Sequence, residues 1–416
     1  MPADAGSDRS MDLNAILRRA VELGASDIHL KFGQPPILRR DGSLGPMEGE
    51  AELRSEDLEA ALHKITEIAP FKRDAFQETG DLDIAYQDDD LPRFRVNAFR
   101  QRGATSFAFR VIPKHVPTFE QLALPKGVAR LADEHRGLIL VTGATGSGKT
   151  TTLAAMLDYM NRTREQHIVT IEDPIEILHP DHSCIVNQRE VGLDTTDFLQ
   201  ALRRALRQDP DVILIGELRD AESAQTALQA AESGHLVLST MHTVDAAETV
   251  GRMVEFFPEG KQQMIRSIMA GVLRGVISQR LLPKKDGGRV AAVEVMVTNT
   301  RIADLIRENE AEAIPEAIEE GQFFDMQTFT HALIEHVLSG DVDEEVAANA
   351  ATNRHDFMVS LERALKEQAA RERAQAAEAE AAAAQPADGE PAPAVVTPPP
   401  PPAEPMPALR LAGSGD

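Results

Sequence analysis

The stretch GATGSGKT, residues 143–150, decides the reading of this chain. Its spacing is G-x-x-x-x-G-K-S/T, which is a phosphate-binding loop when it joins a strand to a helix. The flanks supply that context: an apolar run from Leu138 to Val141 precedes it, and TTLAAMLDYMN follows. Gly143, Gly146 and Gly148 let the backbone curl so that its N–H groups face anionic phosphates. Ala144, Thr145 and Ser147 complete the loop, and the helix start adds the positive end of its dipole. Lys149 is placed to reach the β- and γ-phosphates, and Thr150, with Thr151 beside it, to hold Mg²⁺ through its hydroxyl. A glycine-rich turn without chemistry needs neither the lysine nor the threonine, so ATP and Mg²⁺ are the expected ligands.

Outward from the loop, GLILVTG, HIVTIED, DVILIGE and HLVLST are short apolar runs separated by helical stretches. That alternation implies βαβ units and a mostly parallel sheet. Three of these strands end in chemistry. Glu217 follows Val212-Ile213-Leu214-Ile215-Gly216, with Gly216 where many phosphate-loop enzymes place Asp. The acidic role therefore falls to Glu217, at a strand end where it can orient the attacking water. Glu172, Asp173 and Glu176 close the HIVTIED strand and suit metal and water positioning. Glu176 is the first candidate for catalysis and Asp173 for metal. His235 and His242 bracket the HLVLST strand, and His242 is the better placed to sense a γ-phosphate.

Before residue 117 the pattern changes. MDLNAILRRAVELG reads as an amphipathic helix stopped by Gly24, followed by short strands at SDIHLKF and PPILRRDGSL and a helix near residues 56–68. Strands return at DLDIAY, RFRVNAFR and TSFAFRVI. The expected organisation is α/β. Residues 1–10 form a disordered start, 11–116 a small sheet-containing domain, 117–136 a linker and 137–365 the phosphate-binding domain. Residues 366–416 form an Ala/Glu-rich and then Pro-rich tail, mostly disordered because it lacks the apolar residues for a core.

Composition narrows the function. The net charge is −24, Trp is absent and there are two Tyr, so neither the basic field nor the aromatic platforms of a nucleic-acid translocase are present. A lone cysteine, Cys184, supplies neither a disulfide nor a clustered zinc site. No stretch reads as a membrane span and no signal peptide opens the chain, so the expected location is cytoplasmic.

Taken together, GATGSGKTTTLAAMLDYMN, TIEDPIE, NQREVG, RQDPDVILIGELRD and ESGHLVLSTMHT resemble the secretion ATPase superfamily, as Walker A, Asp box, Walker B and His box. GASDIHL, RFRVNAFRQRGA, FRVIP, ISQRLLP and LIRE are similar to its pilus-retraction (PilT) branch, and the likeness spans about residues 12–345. The resemblance implies a PAS-like N-terminal domain joined to a RecA-like P-loop ATPase domain, working as a homo-hexamer. It further implies peripheral contact with an inner-membrane platform protein, pilus retraction and twitching motility. Arginines of the N-terminal domain approach the nucleotide in that family, and the matching positions are Arg93, Arg95, Arg102 and Arg110. The retraction-associated helix is matched by RIADLIRE, residues 301–308: its second half, with Arg307 and Glu308, is kept and its first arginine is missing. Pilus extension and type II secretion are the alternatives within the superfamily. Their usual tetracysteine motif has no counterpart here.

Overall fold

The computed structural model describes residues 11–383 except 41, 89, 113 and 114. The stretches read as a disordered start (1–10) and a Pro-rich tail (from 384) lie outside those residues. The first layer of structure is α1 (Leu13–Glu22), β1 (Asp27–Lys31), β2 (Ile37–Arg40), β3 (Ser43–Pro46), α2 (Ser55–Ile65), α3 (Pro70–Thr79), β4 (Asp81–Tyr86), β5 (Phe94–Gln101) and β6 (Ala104–Val111). Its sheet has the order β3-β2-β1-β6-β5-β4, antiparallel throughout. Asp12 caps α1, and Leu13, Ile16, Leu17 and Ala20 are buried on one face, as three- and four-residue spacing requires. In β5 burial alternates, so Phe94, Val96 and Ala98 face the core while Arg93, just before the strand, and Arg95 share the other face. The sequence reading held a single helix near 56–68; α3 is a second one, begun by Pro70 and ended by Gly80 in the left-handed region.

The second layer comprises α4 (Lys126–Ala132), β7 (Gly137–Thr142), α5 (Lys149–Thr163), β8 (His167–Glu172), β9 (Ile185–Glu190), α6 (Phe198–Ala205), β10 (Val212–Ile215), α7 (Ala221–Glu232), β11 (Leu236–Met241), α8 (Ala246–Glu255), α9 (Glu259–Val272), β12 (Leu273–Pro283) and β13 (Arg289–Val297). Its sheet has the order β13-β12-β7-β11-β10-β8-β9, parallel apart from the β12–β13 hairpin. Every residue of β7, β10 and β11 is buried, because helices cover both faces. Truncating one of these side chains, such as Ile139 to Ala, costs about 2–5 kcal/mol. Helix α4 lies in the stretch expected to be linker. Val128, Leu131 and Ala132 sit on one of its faces and belong to the core of the parallel sheet.

Beyond the sheet follow α10 (Thr300–Glu308), α11 (Ile314–Glu319), α12 (Phe329–Leu338), α13 (Glu344–Ala350) and α14 (Arg354–Ala383). A smaller core, with Phe329, Leu333, Val342 and Phe357, packs on the far part of the β12–β13 hairpin. The Ala/Glu-rich stretch read as the start of the tail is helical to Ala383, since Ala and Glu are strong helix formers. No described helix is long and apolar enough to cross a membrane.

Candidate active site

The parallel strands β7, β8, β10 and β11 run in register, so their C-terminal ends form one edge of the sheet. Open α/β sheets bind ligands at that edge. There the loop after Thr142 turns through three glycines with positive φ, 137° at Gly143, 81° at Gly146 and 95° at Gly148. Gly143 is also required sterically: a Cβ would stand 2.4 Å from the carbonyl oxygen of Gln279 and 2.6 Å from Ser147 Oγ. Lys149 opens α5. Its ammonium donates to the carbonyls of Gly143 (2.8 Å) and Ala144 (3.0 Å), which lays the side chain along the loop. Burial pushes its pKa below the ordinary lysine value. Thr150 is exposed at the helix start.

A cavity of about 1080 Å³ opens over this loop. Thr145–Thr151, Glu172, Asp173, Glu176, Glu217, His242, Arg95 and Arg110 all line it. Glu217 is mostly buried and ion-paired with Arg219, and His242 Nε2 lies 3.2 Å from its other oxygen. Burial, then Lys149 and Arg219, holds the His242 pKa below the usual histidine value. Gly216 has a packing reason: a Cβ there would meet Phe198 at 3.2 Å and the Ile171 carbonyl at 3.3 Å. Glu172 is buried, accepts from Thr170 (2.6 Å) and Gln188 (3.1 Å), and has its pKa raised by burial. Those partners make it a fixed wall of the site. Glu176 instead projects into the cavity, 3.3 Å from Arg95.

The four arginines separate. Arg95 and Arg110 line the cavity, Arg110 held at 2.9 Å by Asp27. Arg93 does not: it forms a buried pair with Glu190 at 2.6 Å and donates to the Ile175 carbonyl, fixing the segment that carries Glu176. Arg102 sits in the β5–β6 turn with positive φ, beside Gly103, and is absent from the cavity. His235 is likewise outside it. It precedes β11 at the opposite edge of the sheet, and its Nδ1 faces Ala230 O and Ser233 Oγ at 3.0 Å, closing the end of α7. Arg307 and Glu308 lie on α10, away from the cavity, with Arg307 paired to Asp304 and Ile302 and Ile306 buried.

Sequence reasoning missed several lining residues. Arg219 follows Glu217 by two positions, and that proximity was a usable signal. Gln279 was not findable by a motif of its own: it reaches the loop only because β12 pairs with β7. Its amide donates to Thr152 Oγ1 at 2.8 Å. Lys284 and Arg289, on either side of the β12–β13 turn, and His179, with its pKa lowered to about 4 by burial, complete the wall.

The type II/IV secretion system protein family matches residues 7–287. The chain belongs to that family. It is 44% identical over 347 residues to the type IV pilus retractation ATPase PilT of Pseudomonas aeruginosa, covering 83% of this chain and all of that protein. It is 37% identical to the type IV pilus ATPase PilU of the same organism, over 86% of this chain and 94% of that one. A crystal structure of the pilus retraction motor PilT with bound ADP matches with a TM-score of 0.78 at 43% identity, covering 83% of this chain and 99% of that one. As a member of this ATPase family the chain binds nucleotide and hydrolyses ATP. The expected architecture, a sheet domain followed by a P-loop ATPase domain, is the one observed.

Proposed function

We propose that this protein is the ATPase motor of type IV pilus retraction, acting as a homo-hexamer at the cytoplasmic face of the inner membrane, where a platform protein receives the work. The observation that carries the ATPase chemistry is the meeting of Lys149, Thr150, Glu217 and His242 at one sheet edge, with Arg95 entering from the other domain. Retraction is supported by a relationship to a retraction ATPase that runs through both domains of this chain. The single cysteine, buried in the core, points the same way, away from extension and secretion enzymes with a cysteine cluster.

ATP lies with its phosphates in the curl of the loop. Lys149 and the loop amides neutralise the β- and γ-phosphates, and Glu217 orients the attacking water, itself held by Arg219 and His242. A guanidinium at the γ-phosphate stabilises the charge that develops there, and Arg95 is placed for it once it exchanges Glu176 for phosphate. The residues present also fit Mg²⁺. That ion keeps several waters and takes only one or two protein oxygens. Exposed Thr150 and Asp173 would hold it, and it would supply charge neutralisation across the phosphates. Among the described residues no larger acidic or His/Cys cluster is gathered. Arg307 and Glu308 carry the stroke outward rather than the chemistry.

The test is a deletion strain together with the purified chain. The strain should show long or excess pili and no twitching, and the protein should hydrolyse ATP as a six-subunit particle by native mass measurement. A strain without any pili would replace retraction by extension.

A further inference from the structure

A buried polar chain crosses the parallel sheet behind the nucleotide cavity. Thr142, the last residue of β7, donates through its hydroxyl to Ser278 Oγ on β12 at 3.0 Å. Ser278 stands directly opposite Glu294 of β13 in the antiparallel register, where its hydroxyl favours the Glu294 anion. Glu294 Oε1 also accepts the backbone N–H of Ala246 at 2.9 Å. Thr142, Ser278 and Ala246 are fully buried and Glu294 is 7% exposed. One end of the chain is the residue before Gly143 of the phosphate loop. The other is the first residue of α8, four positions after His242.

We propose that Glu294 is a positioning residue, holding the phosphate-loop strand and the His242 segment at a fixed spacing through Ser278 and the Ala246 amide. The inference rests on the ATPase reading above. Stability alone does not explain a carboxylate here. Glu294 stands in the run VAAVEVMV, and removing a charge from water is expensive unless its bonds are specific. Its surroundings are specific: the Ala246 N–H at the start of α8 ends on its carboxylate, and Ser278 of β12, which takes the Thr142 hydroxyl, stands directly opposite it. The neighbours that bear on its charge are Asp245, which opposes ionisation, and Arg280, which favours it. Burial outweighs both and pushes the pKa up to about 7. The anion accepts from Ala246 and offers its second oxygen to Ser278 as an acceptor. A protonated acid keeps one acceptor for Ala246 but can turn an O–H toward Ser278, and the link on that side is then lost. With the segment released, His242 loses its alignment with Glu217, while Lys149 and the loop amides still hold phosphate. Turnover then falls and affinity does not.

The experiment compares the full chain with Glu294→Ala, Glu294→Gln and Ser278→Ala by ATP turnover across pH, thermal melting and amide hydrogen exchange. Glu294→Ala should lower kcat about tenfold with KM within about twofold, as expected for a misplaced group away from the binding contacts. Glu294→Gln keeps an acceptor for Ala246. As the neutral isostere of the protonated acid, it should hold kcat near the low-pH level of the unmodified chain and remove the expected fall in kcat as pH drops through about 7. Glu294→Ala and Ser278→Ala should both speed exchange across residues 242–249. The proposal is overturned if Glu294→Ala folds with kcat and exchange unchanged. Should that variant not fold, it is overturned by Glu294→Gln and Ser278→Ala having the unmodified pH profile and exchange. Exchange separates the two readings: a chain without turnover whose variants still loosen 242–249 removes the ATPase assignment and leaves the positioning role standing.

Discussion

His242 and His235 stand just beyond opposite ends of one strand, β11, and do different work. His242 leaves the C-terminal end and faces Glu217 across the cavity. His235 enters at the N-terminal end and is engaged by Ala230 and Ser233 of the preceding helix end. The same contrast holds for the sheet as a whole. At the C-terminal edge, loops follow strands whose backbone amides and side chains converge on open space. At the opposite edge, helix ends feed strands, and polar groups there satisfy the chain itself. The edge, rather than the residue type, decides whether a side chain faces the cavity.

The strongest way to break this contrast is at Glu217. Glu217→Gln should reduce kcat by about 10²–10³-fold, the range for loss of a group that orients the reacting water, with nucleotide affinity nearly unchanged. Lys149→Ala should instead weaken nucleotide binding, read by a fluorescent-nucleotide titration. Turnover by Glu217→Gln at near the original rate would place the water-orienting acid elsewhere, with Glu176 the next candidate.

Two of the arginines of the β5–β6 ribbon, Arg95 and Arg102, sharpen the comparison in the other domain. Arg95→Ala should lower kcat about tenfold or more, as for a lost transition-state charge contact. Arg102→Ala, at the turn, should leave kcat and KM alone. Equal losses would mean that the turn meets the nucleotide as well as the cavity face.

The histidine pair is the direct test. His242→Ala should lower kcat several-fold, whereas His235→Ala should spare turnover and lower stability by about 0.5–1.5 kcal/mol, the worth of the lost helix-end contact. Denaturant unfolding beside steady-state turnover separates the two.

Smaller effects come from packing and titration. Gly216→Asp places side-chain atoms against Phe198 and should destabilise by about 1–3 kcal/mol despite offering the acid common at that position. For Glu294, the native pKa is raised from 4.5 to about 7, so the native state binds the proton more tightly than the unfolded chain. That contribution is fully present below pH 4.5 and is lost as pH rises through about 7, an order of about 3 kcal/mol. Glu294→Gln should flatten this part of the stability profile, measured by melting between pH 5 and 8.

Much of the molecule was legible in advance because its signals are local. The phosphate loop needs three glycines, a lysine and a threonine at fixed spacing, and the continuous apolar runs around it admit only strands covered on both faces. Glu217, Asp173 and Glu176 could be placed at strand ends from the same pattern. Less legible were α3, whose Pro70 reads as a break but serves as a helix start, and α4, whose apolar face looks like linker until the sheet is there to receive it.

By itself, the sequence determined the α/β class, the loop with its lysine, and an acid at the end of a neighbouring strand, since each depends on residues within a few positions of one another. Tertiary structure alone decided which two of the four arginines line the cavity, which histidine reaches Glu217, and that Gln279 and Glu294 stand near the phosphate loop. Those choices depend on strand order. β12 lies more than a hundred residues beyond β7 in the chain yet runs beside it, with β13 on its far side, and no local pattern states which neighbour a strand will take. Alternation along β5 puts Arg93 and Arg95 on one face, but only the docked segment bearing Glu190 and Glu176 assigns one to a buried pair and the other to the site.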